Sequence, residues 1–225
     1  MDPLAVGERV EGGPARRPER RRLQGRYVAL EPVLPAAHAE ALWRAAHDGN
    51  VEAPGTWTYM PYGPFRDAGE MSARLEEIAS SEDPLFLVVV GPVGPIGMAS
   101  FLNADVEMRR IELGHIWYGP RARRTEANTE AAYLMLRESF ERLGNRRVEW
   151  KCDALNERSR AAAIRLGFTF EGVLRHHMVV KGRNRDTAWF SMLEEEWPAA
   201  REAFGRWLAA KPDERPPLAS LRERG

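Results

Sequence analysis

The sequence predicts a mixed α/β fold: a mostly antiparallel sheet with one central parallel strand pair and flanking helices. Three observations carry this reading. Short apolar runs of strand length recur through the middle of the chain, two of them (Leu85 to Val90 and Ile96 to Asn103) joined by a Gly/Pro turn in the manner of a hairpin. A long helical pattern from Glu126 to Leu143 separates the strands Arg109 to Tyr118 and Arg147 to Cys152, and a strand–helix–strand unit supplies a parallel neighbour. The chain's 225 residues suffice to bury a proper core within one domain with extensions.

In chain order, Arg26 to Glu31 alternates and stops at Pro32, predicting a first strand. Ala36 to Ala46 reads as a helix ending before Gly49. An aromatic loop spans Val51 to Phe65, and Asp67 caps a helix through about Ser80 with Met71, Leu75 and Ile78 on one face. After the hairpin comes Arg109 to Tyr118, whose Ile111, Leu113 and His115 alternate with Glu112, Gly114 and Ile116. The long helix aligns Ala132, Leu136, Phe140 and Leu143, and Gly144 ends it. Asn156 opens another helix that closes on Leu166-Gly167-Phe168. Strands Thr169 to Val180 and Arg185 to Leu193 then flank a Lys181-Gly-Arg-Asn184 turn. A last helix carries Trp197, Phe204, Trp207 and Leu208, and the exposed tryptophans Trp197 and Trp207 are expected to offer a surface to a second copy.

Composition narrows the function classes. Thirty-three basic and thirty-three acidic residues balance, which argues against a general nucleic-acid binder. The single cysteine, Cys152, excludes an intramolecular disulfide, fits a reducing compartment and reads as a small buried residue. No apolar run reaches the roughly 18 residues of a membrane-spanning helix, so a cytoplasmic protein is expected. Residues 1–22, with Arg16, Arg17, Arg20, Arg21 and Arg22, read as a disordered basic tail or an arm for an acidic partner. The folded domain runs from 23 to 210, and 211–225, with Pro212, Pro216 and Pro217, reads as a flexible Pro-rich tail. No His/Cys/carboxylate spacing suggests a metal, and no Gly-x-Ser-x-Gly or Walker sequence occurs.

The chemistry concentrates between Arg109 and Phe168. A strand feeding a helix through a basic loop aims backbone N–H groups and a positive dipole end at an anion, most often a phosphate. Here Arg121, Arg123 and Arg124 supply charge, and Thr125 and Thr129 supply hydroxyls; an exposed basic turn capping an acidic helix start is the plainer alternative. Asn156 is a good helix cap in its own right. Rigid aromatics in a loop, Trp57, Tyr59 and Met60 among them, form the expected acceptor wall, with core packing as the alternative.

Together these segments resemble the GNAT superfamily of CoA-dependent N-acyltransferases. Arg123 matches the first position of its pyrophosphate loop, Gln/Arg-x-x-Gly-x-Gly/Ala. Thr129-Glu130-Ala131 and the run from Lys151 through Asn156-Glu-Arg-Ser159 to Leu166-Gly167-Phe168 resemble the RimJ/RimL branch, as do Gly182-Arg-Asn-Arg-Asp186 and Glu195-Glu-Trp-Pro198. Glu126 departs from the pattern at the glycine position, where a carboxylate repels phosphate, and Asn128 replaces the small residue. The resemblance spans about Arg26 to Trp197 and implies a GNAT fold with acetyl-CoA as acyl donor and a primary amine as acceptor, either a protein N-terminal α-amine or a small molecule. It places the donor against Trp117, Tyr118, Arg121, Arg123, Arg124, Thr125, Asn128, Thr129 and Asn156. It also implies backbone N–H groups at the end of the Ile111 to Tyr118 strand as oxyanion donors and Ser159 as acid. Glu112, His176 and His115 are the candidate bases, with an ordinary strand carboxylate and a satisfied core histidine as the plainer readings of Glu112 and His115. At most one of His176 and His177 faces the site, and Asp186 either orients the amine or pairs with Arg183 or Arg185. Succinyl-CoA is the alternative donor given the arginine cluster. A non-catalytic acyl-CoA sensor is the alternative function, supported by Glu126 and Asn128.

Overall fold

The computed structural model describes residues 4–47 and 55–221. Eight strands form one sheet in the order β1-β2-β3-β4-β5-β6-β8-β7. They are β1 (Leu23–Gln24), β2 (Ala29–Pro32), β3 (Leu85–Gly91), β4 (Gly94–Asp105), β5 (Arg110–Tyr118), β6 (Arg147–Asp153), β7 (Thr169–Val180) and β8 (Arg183–Leu193). Every pairing is antiparallel except β5 with β6. The helices are α1 (Pro35–His47), α2 (Ala68–Ala79), α3 (Glu126–Arg137, continued by a π turn over Glu138–Arg142), α4 (Glu157–Leu166) and α5 (Trp197–Ala209).

The sheet is a wall between two cores. Leu85, Leu87 and Val89 face the larger one with residues of α3 and α5, while Phe86 and Val88 face a second, built on α1, α2 and the aromatic loop. A strand buried on both faces shows a continuous apolar run rather than alternation, hence Leu85 to Val90. The helix signals have physical counterparts. The Asp67 side chain accepts the Glu70 N–H at 2.9 Å, Thr125 caps α3, Asn156 caps α4, and Gly167 ends α4 at φ +106°.

Four features differ from the sequence reading. Of the expected first strand over Arg26 to Glu31, Ala29 to Glu31 lie in β2, whereas Arg26 to Val28 form the turn between β1 and β2. The Glu130 carboxylate accepts the backbone N–H groups of Arg26, Tyr27 and Val28 at 2.8, 2.6 and 2.7 Å, removing them from any ladder. The hairpin turn between β7 and β8 is only Lys181-Gly182, both at positive φ (49° and 73°), so β8 begins at Arg183.

The terminal segments pack on the body. Ala15 N–H bonds Val106 O, Arg16 N–H bonds Leu143 O, Arg20 donates to Ala79 O at 3.1 Å, and Arg21 and Arg22 meet Glu138 at 3.7 Å and Glu31 at 3.0 Å. At the other end, Leu218 is buried and Arg215 is enclosed. Finally, Trp197 is buried, stacked on Phe140 at 5.5 Å, and Trp207 is half-buried beneath Arg215, so neither offers an open apolar face. Among the described residues no helix is long and apolar enough to cross a membrane.

Candidate active site

The site begins where the parallel pair comes apart. β5 and β6 pair from Arg110–Arg147 to Leu113–Trp150, after which both strands continue without each other, β5 to Tyr118 and β6 to Asp153. Backbone groups on the facing edges lose their ladder partners over this stretch, and buried N–H and C=O groups require others. The two facing edges beyond Leu113 and Trp150 thus carry peptide donors and acceptors available to an occupant of the cleft between them.

A bulge shapes the β5 side of that cleft. Gly114 pairs with Ser100, but Trp117 pairs with Met98, so His115 and Ile116 oppose Ala99 alone. His115 takes φ +49° there. The extra residue reverses the alternation predicted from the sequence: Ile111 and Leu113 face the larger core, yet Trp117 joins the second. His115 stacks on Tyr62 (5.7 Å, 8° between planes) and lies 4.9 Å from Phe86. Burial, reinforced by the positive charges of Arg74 and Arg185, pushes its imidazole down to about 4, so it is neutral at physiological pH. Its Nδ1 is buried with no partner among the described residues.

Helices α3 and α4 present their N-termini beside the cleft. Thr125 Oγ1 accepts the Ala127 N–H at 3.3 Å, and the remaining first-turn N–H groups of α3 are the ones a helix leaves unpaired. Arg123 is tied down, donating to Tyr118 O and to Thr56 Oγ1, and burial lowers its proton affinity with Arg158 adding to the effect. Arg121 and Arg124 are exposed on the same loop.

Arg158 and Arg165 are site residues that the sequence reading missed. A Cβ placed on Gly55 would lie 3.6 Å from Arg158 Nη1 and 3.7 Å from Arg123 Nη1, so two guanidinium groups converge there. Arg165 donates to Thr129 Oγ1 at 2.9 Å, joining α4 to α3. Burial depresses Arg165, yet a guanidinium keeps its charge throughout the physiological range. The signal was available: Arg158 and Arg165 are seven apart on one helix and therefore share a face.

The proposed chemical groups occupy distinct surroundings. Ser159 Oγ accepts a hydrogen bond from Trp150 Nε1 at 3.0 Å, while the Ser159 N–H bonds the Asn156 cap at 3.1 Å. The buried Cys152 thiol is pushed upward by that burial, with the nearby Ser159 side chain opposing the shift. Glu112 is buried, its Oε2 accepting from Lys151 Nζ and Asn103 Nδ2, both at 2.8 Å. Its Oε1 lies 3.6 Å from where a Cβ on Gly114 would sit, one residue past the last β5–β6 pair. Lys151 also bridges to Glu149 at 2.8 Å and lies 3.7 Å from the Trp189 ring centroid.

The structure separates the two histidines of β7. Residues 175–177 bulge out of the ladder, with Leu174 opposite Thr187 and Met178 opposite Arg185. His176, at φ +51°, donates its backbone N–H to Asp186 Oδ1 at 2.7 Å and is exposed. Asp186 is held below the usual carboxylate range chiefly by that N–H, with Asn184 adding a second bond. The ring turned onto the sheet belongs to His177, 3.0 Å from Thr187 Oγ1 and edge-on to Trp189.

The aromatic loop divides. Trp57 is buried against Phe65 (5.1 Å) and Trp117 (5.0 Å), so its ring is core and not an acceptor wall. Met60 packs half-buried on the same core. Tyr59 points the other way, its hydroxyl donating to Leu155 O at 3.1 Å just before the α4 cap. Lys181, from the β7–β8 turn, donates to Trp57 O at 3.0 Å and Gly63 O at 2.7 Å. The loop therefore bridges the cleft mouth and the terminal hairpin. Val51 to Pro54, at its start, lie outside the described residues.

Comparison with known proteins gives a consistent answer. A family profile described as "Acetyltransferase (GNAT) domain" matches residues 28–169. A curated relative, "Putative ribosomal N-acetyltransferase YdaF" of Bacillus subtilis (strain 168), is 34% identical over 101 residues, which are 45% of this chain and 55% of that protein. The chain thus spans about half the length of that relative. A crystal structure of a GCN5-related N-acetyltransferase from Brucella melitensis superposes with a TM-score of 0.88 at 40% identity, covering 94% of this chain and 98% of the other. A GNAT-family acetyltransferase structure from Chromobacterium violaceum superposes at 0.76 with 37% identity, covering 88% and 100%.

Proposed function

Because this chain belongs to the GNAT acetyltransferase family, we propose that it transfers an acetyl group from acetyl-CoA to a primary amine by direct attack within a ternary complex. The observation that carries the reading is the parting of β5 from β6 after Leu113 and Trp150. The parted edges run on from β5 towards the start of α3 and from β6 towards the start of α4. This suits a donor with an amide-bearing arm at one end and phosphates at the other.

The residues fit such a donor. Phosphates meet the α3 N-terminus with Arg123, Arg124, Arg158 and Arg165 around it, and Arg121, Thr125, Asn128 and Thr129 complete that end. The arm runs between the β5 edge and Asn156. Peptide N–H groups along β5 to Trp117 and Tyr118 stabilise the thioester oxygen as it becomes an oxyanion. Ser159 returns a proton to the departing thiolate, its oxygen held in place by Trp150. Glu112 accepts the ammonium proton through a water at Gly114, since its other oxygen is committed to Lys151 and Asn103. Asp186, beside His176, supplies negative charge on the β7–β8 side of the acceptor opening, where Tyr59 and Met60 form the opposite wall.

A protein N-terminal α-amine is the acceptor we propose first, since the Bacillus subtilis relative bears the name of a putative ribosomal N-acetyltransferase, which favours a protein acceptor. A small-molecule amine and a succinyl donor are the readings the test separates. Thermal stability is measured with acetyl-CoA, CoA and succinyl-CoA, followed by release of free CoA on addition of N-terminal peptides or small amines. Ligand at about 100 times its dissociation constant stabilises by about 2.7 kcal/mol. Thioester consumption with an amine supports the enzyme; binding without consumption makes the chain an acyl-CoA sensor. The absence of any shift at millimolar ligand overturns both.

A further inference from the structure

The C-terminal segment closes on Glu126, one of the two positions where the phosphate loop departs from expectation. Glu126 is the first residue of α3, where a close phosphate approach favours a residue without a side chain. An uncompensated carboxylate one turn from a bound pyrophosphate would weaken binding by about 10-fold through repulsion alone. The carboxylate is compensated. Arg215, just beyond the short 3-10 turn Pro212–Glu214, donates from Nη1 to Glu126 Oε1. The same guanidinium donates to Tyr27 OH at 2.8 Å and Ala210 O at 3.2 Å. It also lies 4.5 Å from the Trp207 ring centroid and 5.4 Å from that of Tyr27. Its side chain is only 7% exposed, so four parts of the chain (the β1–β2 turn, α3, α5 and the tail) fix its position.

Direction matters as much as charge. Glu126 and Glu130, one turn apart on α3, both engage the side that holds Tyr27, whereas Thr129 meets Arg165 on the α4 side. The tail thus draws the carboxylate to the flank of α3 away from the arginines of the cleft. Bonding to Arg215 holds the Glu126 carboxyl below its ordinary range, so it stays ionised and paired.

We propose that Arg215 is a positioning residue of the acyl-CoA site: it binds Glu126, turns it aside and neutralises it, so that a phosphate can approach a helix start that lacks glycine. The C-terminal segment becomes part of the donor site rather than a loose end. This rests on the acyl-CoA reading given above, and the experiment keeps the two apart.

CoA and acetyl-CoA are titrated calorimetrically into the full chain, into Arg215→Met, which keeps the packing on Tyr27 and Trp207, and into Arg215→Met/Glu126→Gln. Melting of each free protein and the KM–kcat split are recorded alongside. Arg215→Met is expected to bind CoA about 10-fold more weakly, with KM for acetyl-CoA rising and kcat little changed. The double variant is expected to return to within about 3-fold of the parent. Parent-like binding by Arg215→Met overturns the inference, as does a double variant as weak as the single one, since tail packing alone would then explain the loss. If Arg215→Met does not fold, the double variant decides: near-parent affinity supports the proposal, and a 10-fold loss overturns it. Failure of the parent chain itself to bind CoA sinks the acyl-CoA reading and the inference with it.

Discussion

The two halves of the sheet are built on opposite principles. From β2 to β4 both faces are covered and apolar, the pairing is nearly regular, and side chains such as Leu87 and Phe101 are almost wholly enclosed. From β5 to β7 the sheet opens. Its parallel pair parts, two bulges carry histidines at positive φ, and a network of charges (Glu112, Lys151, Glu149, Arg147, Glu171) replaces hydrocarbon on one face. The first half supplies stability by burial, which is non-directional and tolerant. The second accepts irregular backbone and buried charge, which are costly and directional, and this is where a reacting amine and thioester can be held.

The sharpest way to break that contrast is to damage the first half. Phe101→Ala is expected to cost about 3–5 kcal/mol in urea unfolding, while the folded fraction keeps its affinity for acetyl-CoA. A comparable loss of affinity would show that the halves are not separable. Within the second half, Lys151→Ala leaves Glu112 and Glu149 enclosed without their shared cation and is expected to cost about 3 kcal/mol at pH 7. Unlike Phe101→Ala, it should also lower kcat. A stability loss with unchanged kcat would remove Glu112 from the chemistry.

His115 gives a pH-dependent test. Its folded pKa lies near 4, below the unfolded 6.5, so the unfolded state binds the extra proton between these values. Stability is therefore full above about pH 6.5 and falls as pH drops towards 4, by about 3 kcal/mol from this group. His115→Asn tolerates the left-handed backbone and should remove that part of the decline in melts from pH 7 to 4. An unchanged slope would mean that the imidazole is not what the fall reports. The smallest effect is expected from Thr125→Ala, which removes the α3 cap at about 1 kcal/mol. That variant should raise KM for acetyl-CoA while sparing kcat, and a change in kcat instead would move Thr125 from donor binding to the reaction step.

The same division explains what could be read from the sequence. Helix caps and apolar periodicity are local signals, so Asp67, Asn156, Gly167, the β3–β4 hairpin and the parallel pair were visible in the chain. The bulge at His115 was not, because one inserted residue leaves composition unchanged while exchanging the faces of everything after it. Of the two readings open for Trp57, acceptor wall or core, the core is the one observed, since an aromatic loop residue carries no sign of which way it turns. The terminal segments dock through hydrogen bonds of Ala15, Arg16 and Arg215 to distant groups, and no periodicity encodes such contacts. Arg158 and Arg165 were legible by spacing, but helix α4 offered its cap as the louder signal.

The bulge in β7 has a further consequence for the chain in solution. β7 is the outermost strand on its side, exposed along both faces, with Phe170, Val173, Leu174, Met178 and Val179 open to water. An uninterrupted strand of that kind would template another β-strand and let sheets grow from molecule to molecule. Residues 175–177 interrupt its ladder between Leu174 and Met178. A bulge on an edge strand is one of the devices that oppose sheet-to-sheet pairing, and deleting one residue of 175–177 is expected to raise the aggregated fraction seen by light scattering.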